Sequence, residues 1–297
     1  MKQLDNNYGI ITSVYNKTGM VELSNGSREH FLTKNNKIKP VVGDYVLYEP
    51  LDEKTFLITE ILESNNQLMR LNTKRQPQTV ASNLTQILLI TAPQPTPNLL
   101  LIDQFILISE LMNCSLSIIS NKIDLTDENP HSLHIYEELG YRLVEISAKY
   151  KTNLEHLLDL LNHQTTILLG QSGVGKSTIT NLLIGNNHIK TDILSIKTKK
   201  GRHTTSAITM HRILENGYLI DTPGIENLRP NISAIKEFEI GFKEIHTYSE
   251  GCKFRDCLHI NEPDCAIKKA LKEGKITIKR YDNYKKLITE FQITQSF

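Results

Sequence analysis

The stretch GQSGVGKST at residues 170–178 decides the fold of this chain. It fits the pattern G-x-x-x-x-G-K-[ST], directly after an apolar strand at residues 166–169 and directly before a helical pattern at residues 176–184. In this context glycines let backbone N–H groups turn toward phosphate oxygens, and the following helix adds its positive N-terminal end. The stretch therefore predicts a P-loop, which consists of Gly170, Gln171, Ser172, Gly173, Val174, Gly175, Lys176, Ser177 and Thr178.

Two further features complete the predicted phosphate site. We expect Lys176 to neutralise the β and γ phosphates and the Ser177 hydroxyl to ligate Mg²⁺. The tetrapeptide DTPG begins at Asp221, after a strand at residues 218–220, and this carboxylate can hold Mg²⁺ through water. Beside a P-loop, the tetrapeptide predicts the switch that senses the third phosphate through the N–H of Gly224.

The tetrapeptide NKID at residues 121–124 follows another apolar strand, at residues 116–120. A carboxylate at Asp124 can accept from both the ring N–H and the exocyclic amine of guanine, whereas adenine offers no such pair of donors. The loop SAK, after the next strand, offers backbone N–H groups to the guanine oxygen. The motifs predict GTP as the nucleotide, held by Asn121, Lys122, Asp124, Ser147 and Ala148.

The region around these motifs alternates between buried strands and helices, which indicates an α/β fold with a mainly parallel sheet and helices on both faces. In ordinary small G proteins the P-loop precedes the guanine-reading motifs, but here it follows them. The sequence therefore predicts a circularly permuted P-loop GTPase domain. Its predicted strands are 86–91, 116–120, 142–146, 166–169, 209–213 and 218–220, and its predicted helices are 100–112, 135–139, 154–161 and 176–184.

The N-terminal region reads as short strands rich in β-branched and aromatic residues, separated by turn residues. About five strands in so short a region favour a small closed β-barrel, with the OB-fold as first choice because such barrels commonly bind oligonucleotides. The alternative is a barrel that docks on its own neighbouring domain or on another protein. The predicted strands are 9–14, 20–23, 30–32, 45–48 and 56–61.

Near the C-terminus, three cysteines and one histidine fall within a short span. Cys252, Cys257, His259 and Cys265 offer three thiolates and one imidazole, which is a complete ligand set for tetrahedral Zn²⁺. Because no coordination position remains for water, we expect one structural zinc ion. It would stabilise a small helical domain whose hydrophobic core is too small to do so alone. Cys114, at the end of an apolar helix, is more simply a core residue.

The composition limits the location and the partners that the protein can have. The chain of 297 residues has 34 Lys plus Arg against 33 Asp plus Glu, so it is not positively charged all over. Its apolar runs are too short to span a bilayer, and the N-terminus lacks the apolar core of a secretory signal, so we expect a cytoplasmic protein. Basic residues nevertheless concentrate in residues 190–212 and 266–286. Such runs are often solvated faces, but beside a barrel and a zinc module they favour binding to RNA phosphates.

The permuted motif order, flanked by a barrel and a Cys/His cluster, resembles the bacterial RsgA family, also called YjeQ, of small-subunit-dependent GTPases. The resemblance covers nearly the whole chain and rests on these motifs: VGD at 42–44, NKIDL at 121–125, GQSGVGKST at 170–178, GRHTT at 201–205, DTPG at 221–224 and EPDC at 262–265. It implies a GTPase that binds the 30S ribosomal subunit late in its maturation and contacts its 16S rRNA. It also implies that the subunit stimulates hydrolysis of GTP.

From this organisation we expect a monomer of three domains, an OB-fold barrel at 1–72, the GTPase domain at 73–229 and a zinc-binding domain at 230–297. Many G proteins place a water-orienting glutamine after DTPG, but this chain has Ile225. His203 in the GRHTT segment is our candidate for that role, with a solvated loop histidine as the alternative. Thr204 or Thr205 should contact Mg²⁺ and the γ-phosphate, and the sequence does not decide which.

The sequence also departs from the family pattern before the first strand of the GTPase domain, where NLT at residues 83–85 replaces the Asn-Val-Asp often found there. Two other classes of protein stay open at this stage. One is an RNA-binding assembly scaffold that uses GTP only to lock a conformation. The other is a translational or membrane-trafficking GTPase, which fits the guanine motifs but not the permuted order or the zinc cluster.

Overall fold

The computed structural model describes residues 7–72, 74, 76–126, 133–187, 208–214, 216–222 and 228–295. Among these residues, none of the helices has the length and apolar character that a membrane crossing requires.

Five N-terminal strands close into a barrel in the order β1–β2–β3–β5–β4–β1. All neighbours are antiparallel except β3 and β5, which run parallel. Side chains that alternate inward, among them Ile11, Phe31 and Ile58, fill the interior. This confirms the predicted five-stranded, OB-like barrel. Its strands are β1 (Tyr8–Tyr15), β2 (Thr18–Leu23), β3 (Arg28–Thr33), β4 (Tyr45–Pro50) and β5 (Thr55–Ile61).

A hairpin that the sequence patterns do not predict joins the barrel to the next domain. It consists of β6 (Gln67–Leu71) and β7 (Pro77–Ser82), which pair antiparallel as a separate two-stranded sheet. Its strands carry polar residues on both faces, so the alternation that identifies a strand in sequence is weak. The predicted first domain ends at Asn72, one residue after β6, so the predicted boundary separates the two strands of this hairpin.

Among the described residues, the domain predicted to be the GTPase has a six-stranded sheet in the order β10–β9–β8–β11–β13–β12. All strands run parallel except β12, which is antiparallel to β13. At its outer edge β12 pairs with β1 of the barrel through Ser13 and Thr209. The strands are β8 (Gln86–Thr91), β9 (Ser115–Asn121), β10 (Arg142–Ile146), β11 (Thr165–Leu169), β12 (Thr209–Ile213) and β13 (Gly217–Asp221).

Helices cover both faces of this sheet. Strand β8 is buried throughout, with Ile87 and Leu89 in the core beneath one pair of helices and Leu88 and Ile90 in the core beneath the other pair. The first pair is α1 (Leu99–Leu111) and α2 (His134–Glu138), and the second is α3 (Leu154–Leu161) and α4 (Lys176–Asn187). The predicted fold class is confirmed.

The C-terminal helices, residues 235–295, pack around a separate core, and we call them the Cys/His domain. The basic run at residues 266–286 lies on two helices with a turn at Gly274. Leu107 of α1 contributes to the same core, so this domain rests on the GTPase domain. Its elements are a 3₁₀ helix (Ile235–Gly241), α5 (Lys243–Ser249), α6 (Ala266–Lys272) and α7 (Ile278–Gln295).

Candidate nucleotide site and metal cluster

The predicted nucleotide motifs lie at one edge of the sheet. NKID begins at Asn121, the last residue of β9, and Asp221 is the last residue of β13. SAK follows β10, and the P-loop follows β11. Because these strands are parallel, their carboxyl ends meet at this edge, where ligands of open α/β sheets bind.

The P-loop backbone adopts conformations that need glycine. Gly170 and Gly175 have φ angles of 143° and 102°, in the region that L side chains rarely adopt. A Cβ at Gly170 would overlap the carbonyl oxygen of Ile90, and one at Gly175 would overlap the Asn121 side chain. The loop is thus packed tightly between its neighbours, with its backbone close to the NKID motif.

Lys176 folds back over this loop. Its Nζ donates to the carbonyl oxygens of Gly170 at 2.8 Å and Gln171 at 2.7 Å. The ammonium group is therefore held over the loop that is predicted to receive phosphate, where a positive charge favours an anion.

Asn121 connects the three loops that sequence analysis assigns to the nucleotide. Its side chain is buried, with Nδ2 donating to the Val174 carbonyl of the P-loop at 2.9 Å. Its Oδ1 accepts from the Ala148 N–H of the SAK loop at 3.0 Å. An amide at this position supplies one donor and one acceptor at once, so a carboxylate would break the link to Val174 and an apolar residue would break both links.

Lys122 and Asp124 make the remaining links between the loops. Lys122, at a φ of 65°, donates from Nζ to the Gly173 carbonyl of the P-loop at 2.6 Å. Asp124 accepts at Oδ1 from the Ser147 hydroxyl at 2.6 Å. The Lys122 stem thus spans the gap between the NKID loop and the P-loop, and Ser147 orients the carboxylate.

The loop between β8 and α1 also reaches the site, and sequence analysis missed it. The Gln94 carbonyl accepts from Nζ of Lys122 at 3.0 Å, and the Asn98 N–H donates to Oε1 of Gln171 at 2.9 Å. The proline-rich run PQPTP at residues 93–97 could have revealed it, because it follows the carboxyl end of a buried strand.

Several predicted residues cannot be placed. His203, Thr204, Thr205 and Gly224 lie outside the described residues, as does Ile225. Among the described ones, Ser177 and Thr178 are exposed at the start of α4, while Asp221 is partly buried.

The four predicted metal ligands come together in the Cys/His domain. The ligand atoms of Cys252, Cys257, His259 and Cys265 all lie within 4.8 Å of one another. Sγ of Cys252 is 3.9 Å from Sγ of Cys265 and 3.4 Å from Nδ1 of His259. Tetrahedral zinc with Zn–S bonds of about 2.3 Å would place its sulfur atoms about 3.8 Å apart. The cluster could therefore hold one metal ion.

A carboxylate that sequence analysis did not single out orients the histidine. Oε1 of Glu239 lies 3.1 Å from Nε2 of His259, and both side chains are buried. With Nε2 engaged in this way, Nδ1 faces the cysteines, an arrangement common among metal-binding histidines. Burial raises the pKa of the Cys257 thiol, and a bound cation would favour its thiolate form.

The parallel sheet, the P-loop and the guanine-reading loops that precede it in the chain together define a circularly permuted P-loop GTPase. A family model described as RsgA GTPase matches residues 61–231, which is more than half of the chain. The chain therefore belongs to the RsgA GTPase family and is a GTP hydrolase.

Relatives and solved structures agree with this assignment. A protein from Actinobacillus succinogenes named small ribosomal subunit biogenesis GTPase RsgA is 33% identical, with 95% of this chain and 83% of that protein covered. A protein of the same name from Alkaliphilus metalliredigens is 34% identical, with 88% of each chain covered.

The crystal structure of YjeQ from Thermotoga maritima superposes on this chain with a TM-score of 0.74 at 28% identity. The match covers 96% of this chain and 98% of that one. The structure of YloQ, described as a circularly permuted GTPase, superposes with a TM-score of 0.72 at 27% identity, and the match covers 98% of each chain.

Proposed function

We propose that this GTPase binds the small ribosomal subunit during its late maturation, and that the subunit stimulates its hydrolysis of GTP. The observation that carries the proposal is likeness over nearly the whole length to proteins named small ribosomal subunit biogenesis GTPase RsgA. The order of domains in this chain, with a barrel before the GTPase domain and a Cys/His domain after it, also supports the proposal, because the resemblance to the family rests on that order. We place the three domains at residues 1–72, 73–229 and 230–297.

Within the nucleotide site, we assign the base to Asp124 and the phosphates to Lys176. The bond from Ser147 leaves the second carboxylate oxygen of Asp124 to accept from guanine, and Lys122 covers the face of the base. Mg²⁺ is assigned to Ser177 and Asp221, together with Thr204 or Thr205. His203 is the proposed residue that positions the attacking water.

An Asp124→Asn variant tests the base assignment. The amide would present a donor to the guanine amine, so GTP should bind at least tenfold more weakly while xanthosine triphosphate binds better. Nucleotide binding by fluorescence titration measures both, and Glu155→Gln, an exposed acidic residue on α3, is the matched control. Unchanged preference for GTP in the Asp124 variant would overturn the assignment.

For the Cys/His cluster, we propose one structural Zn²⁺. Three sulfurs and one nitrogen form a soft, closed ligand set, with Glu239 as the carboxylate behind His259. Metal analysis of protein purified without chelator should return one zinc per chain. Glu239→Gln should weaken zinc binding by about 10- to 100-fold in competition with a chromogenic chelator. Protein that folds without metal, or a variant with unchanged affinity, would contradict the structural role.

The 16S rRNA is the proposed contact of the basic surface on the Cys/His domain. Exposed lysines on α6, α7 and the turn between them supply positive charge that neutralises RNA phosphates. These lysines are Lys269, Lys272, Lys275, Lys279 and Lys286.

GTP turnover measured with and without 30S subunits, at two salt concentrations, tests the proposal as a whole. We expect stimulation by the subunit, and we expect it to fall at the higher salt because phosphate contacts release counterions. A Lys272→Glu/Lys279→Glu variant should lose stimulation without losing its basal turnover. Equal turnover with and without subunits would refute subunit-dependent activation and favour the scaffold alternative.

A further inference from the structure

A groove runs along the outer edge of the GTPase sheet at β10. In the part of the chain that the structure describes, β10 pairs with β9 alone, whereas the opposite end of the same sheet closes into the barrel. The groove has a volume of about 430 Å³, and its walls come from α2 on one side and the start of α3 on the other. One side of the β10 backbone therefore lies open along this groove.

A single hydrogen bond shows which backbone groups of β10 point outward. The Glu145 carbonyl accepts from Nδ2 of Asn153, the residue before α3, at 3.1 Å, so this carbonyl points away from β9. Residues two apart in a strand turn their N–H and C=O groups to the same side, so those of Leu143 point into the groove as well. The edge thus offers both main-chain groups of Leu143 and the N–H of Glu145 to an added strand.

The elements around the groove carry an excess of negative charge. Over their described lengths, α2, β10 and α3 hold five exposed carboxylates against one basic residue, Arg142. Two histidines offset part of this charge, with His134 2.8 Å from Glu137 and His156 4.0 Å from Glu155. Such a surface repels RNA phosphates and attracts a positively charged partner. The carboxylates are Glu137, Glu138, Glu145, Glu155 and Asp159.

The side chains of β10 alternate between the two faces of the sheet. Leu143 packs against the core beneath α1 and α2, while Val144 belongs to the core beneath α3 and α4. Glu145, two residues after Leu143, therefore stands on the α2 face, where Glu137 also lines the groove. A strand added to β10 would present every second side chain to these two carboxylates.

We propose that an extended peptide segment of a partner protein, with lysine or arginine at every second position, binds in this groove as an added strand on β10. Main-chain hydrogen bonds to Leu143 and Glu145 supply affinity, and the two carboxylates on the α2 face select basic side chains. A second copy of this chain fits less well, because two such acidic edges repel each other. The inference concerns a protein partner and does not depend on the proposed RNA contact.

Binding of a labelled peptide tests this site on the full chain, with a saturating non-hydrolysable GTP analogue present throughout. The probe is a peptide of about eight residues in which lysine and valine alternate, and fluorescence anisotropy measures its affinity. Glu137→Lys/Glu145→Lys should weaken binding roughly tenfold and should instead bind the peptide in which glutamate replaces lysine. The control Glu53→Lys/Glu63→Lys changes two exposed glutamates in the barrel region and should leave both affinities unchanged.

Hydrogen exchange tests whether the peptide pairs with the strand. Exchange at the amides of residues 143 and 145 should slow when the lysine peptide binds, because both N–H groups gain partners. Leu143→Pro removes one of these donors at an edge position where proline is tolerated, and it should also weaken binding. Thermal unfolding and binding of the GTP analogue verify that every variant is folded.

Each contrary outcome overturns a stated part of the proposal. If wild type binds neither peptide, or binds the glutamate peptide as tightly as the lysine peptide, the charge selection is wrong. Binding without slowed exchange at residues 143 and 145 would mean attraction without an added strand. Slowed exchange there in protein that self-associates without peptide would assign the edge to a second copy of the chain. Slowed exchange there with single-stranded RNA would assign it to RNA.

Discussion

The GTPase domain holds its two neighbours by different chemistry. On the Cys/His side the contact is a buried ion pair, in which Arg280 of α7 donates from Nη1 to Asp103 of α1 at 2.6 Å. On the barrel side, the buried carboxylate of Asp44 has neutral partners, the Ser82 hydroxyl at 2.5 Å and the Val41 N–H at 2.8 Å. Deleting the ionic partner of a buried charge destabilises the folded protein more than deleting one neutral donor to such a charge.

The Cys/His junction surrounds its ion pair completely. Asp103 also accepts from the Tyr136 hydroxyl and from Nδ2 of Asn283, each at 2.6 Å. Arg280 makes a second ion pair with Glu244 of α5 at 2.7 Å, and its guanidinium lies 4.3 Å from the ring centre of Phe242. These groups come from α1, α2, α5 and α7 and the residue before α5, so one cluster fixes the Cys/His domain to the half of the GTPase domain that carries the NKID loop.

At the barrel junction, the linker is held by separate hydrogen bonds. Asn83 donates from Nδ2 to the Gly43 carbonyl at 2.9 Å, and the Ser82 N–H donates to the Val42 carbonyl at 2.9 Å. Thr85 donates its hydroxyl to Gln164 at 2.6 Å, beside the start of β11. The NLT stretch that departs from the family pattern therefore joins the linker to the barrel at Asn83 and to the GTPase sheet at Thr85.

Removing Arg280 should have the largest effect. Arg280→Ala leaves Asp103 and Glu244 buried without their cation, which typically costs about 3–5 kcal/mol. Urea unfolding should show this loss in the free energy of unfolding. The control Lys279→Ala, at the exposed neighbour on the same helix, should change that free energy little. A loss below about 1 kcal/mol would mean that the cluster is not a strong contact.

Removing the Ser82 hydroxyl should have a smaller effect. Ser82→Ala deletes one of two hydrogen bonds to the buried Asp44 carboxylate, and such bonds are worth about 1.5–3 kcal/mol. The same unfolding experiment measures it, with Thr18→Ala, an exposed hydroxyl of the barrel, as control. If Ser82→Ala destabilised the protein as much as Arg280→Ala, the distinction between the two junctions would collapse.

The sequence predicts the elements better than it predicts these junctions. Hydrophobic periodicity predicts the strands and helices because each element's pattern reflects its own burial. The loop motifs and the cysteine spacing predict the candidate site residues, and the described ones lie together in the structure. Arg280 stands in a lysine-rich run that the sequence assigns to RNA phosphates, yet its side chain is 2% exposed. Its partner Asp103 is 177 residues away. Pairing over that distance depends on how whole helices pack, which no local pattern encodes. For the same reason, local sequence patterns do not predict the hydrogen bond between Glu239 and His259.

The smallest effect should be the pH dependence of the barrel junction, and Asp44→Asn isolates it. Burial raises the pKa of Asp44 above its usual value of 3.8, despite the bonds from Ser82 and Val41 that lower it. Folding therefore favours the protonated carboxyl, so this contribution to stability is fully present below 3.8 and is lost as pH rises through the folded pKa. The amide does not titrate. The free energy of unfolding of wild type minus that of Asp44→Asn should thus fall as pH rises from about 3.5 to 7.

Asp52→Asn is the control and should give a difference of the opposite sign. The N–H of Lys54 lowers the pKa of that exposed carboxylate, so its contribution to stability is lost on acidification. A flat or rising difference for Asp44 would show that its neutral partners stabilise the carboxylate fully, and that burial of this charge costs no stability at the barrel junction.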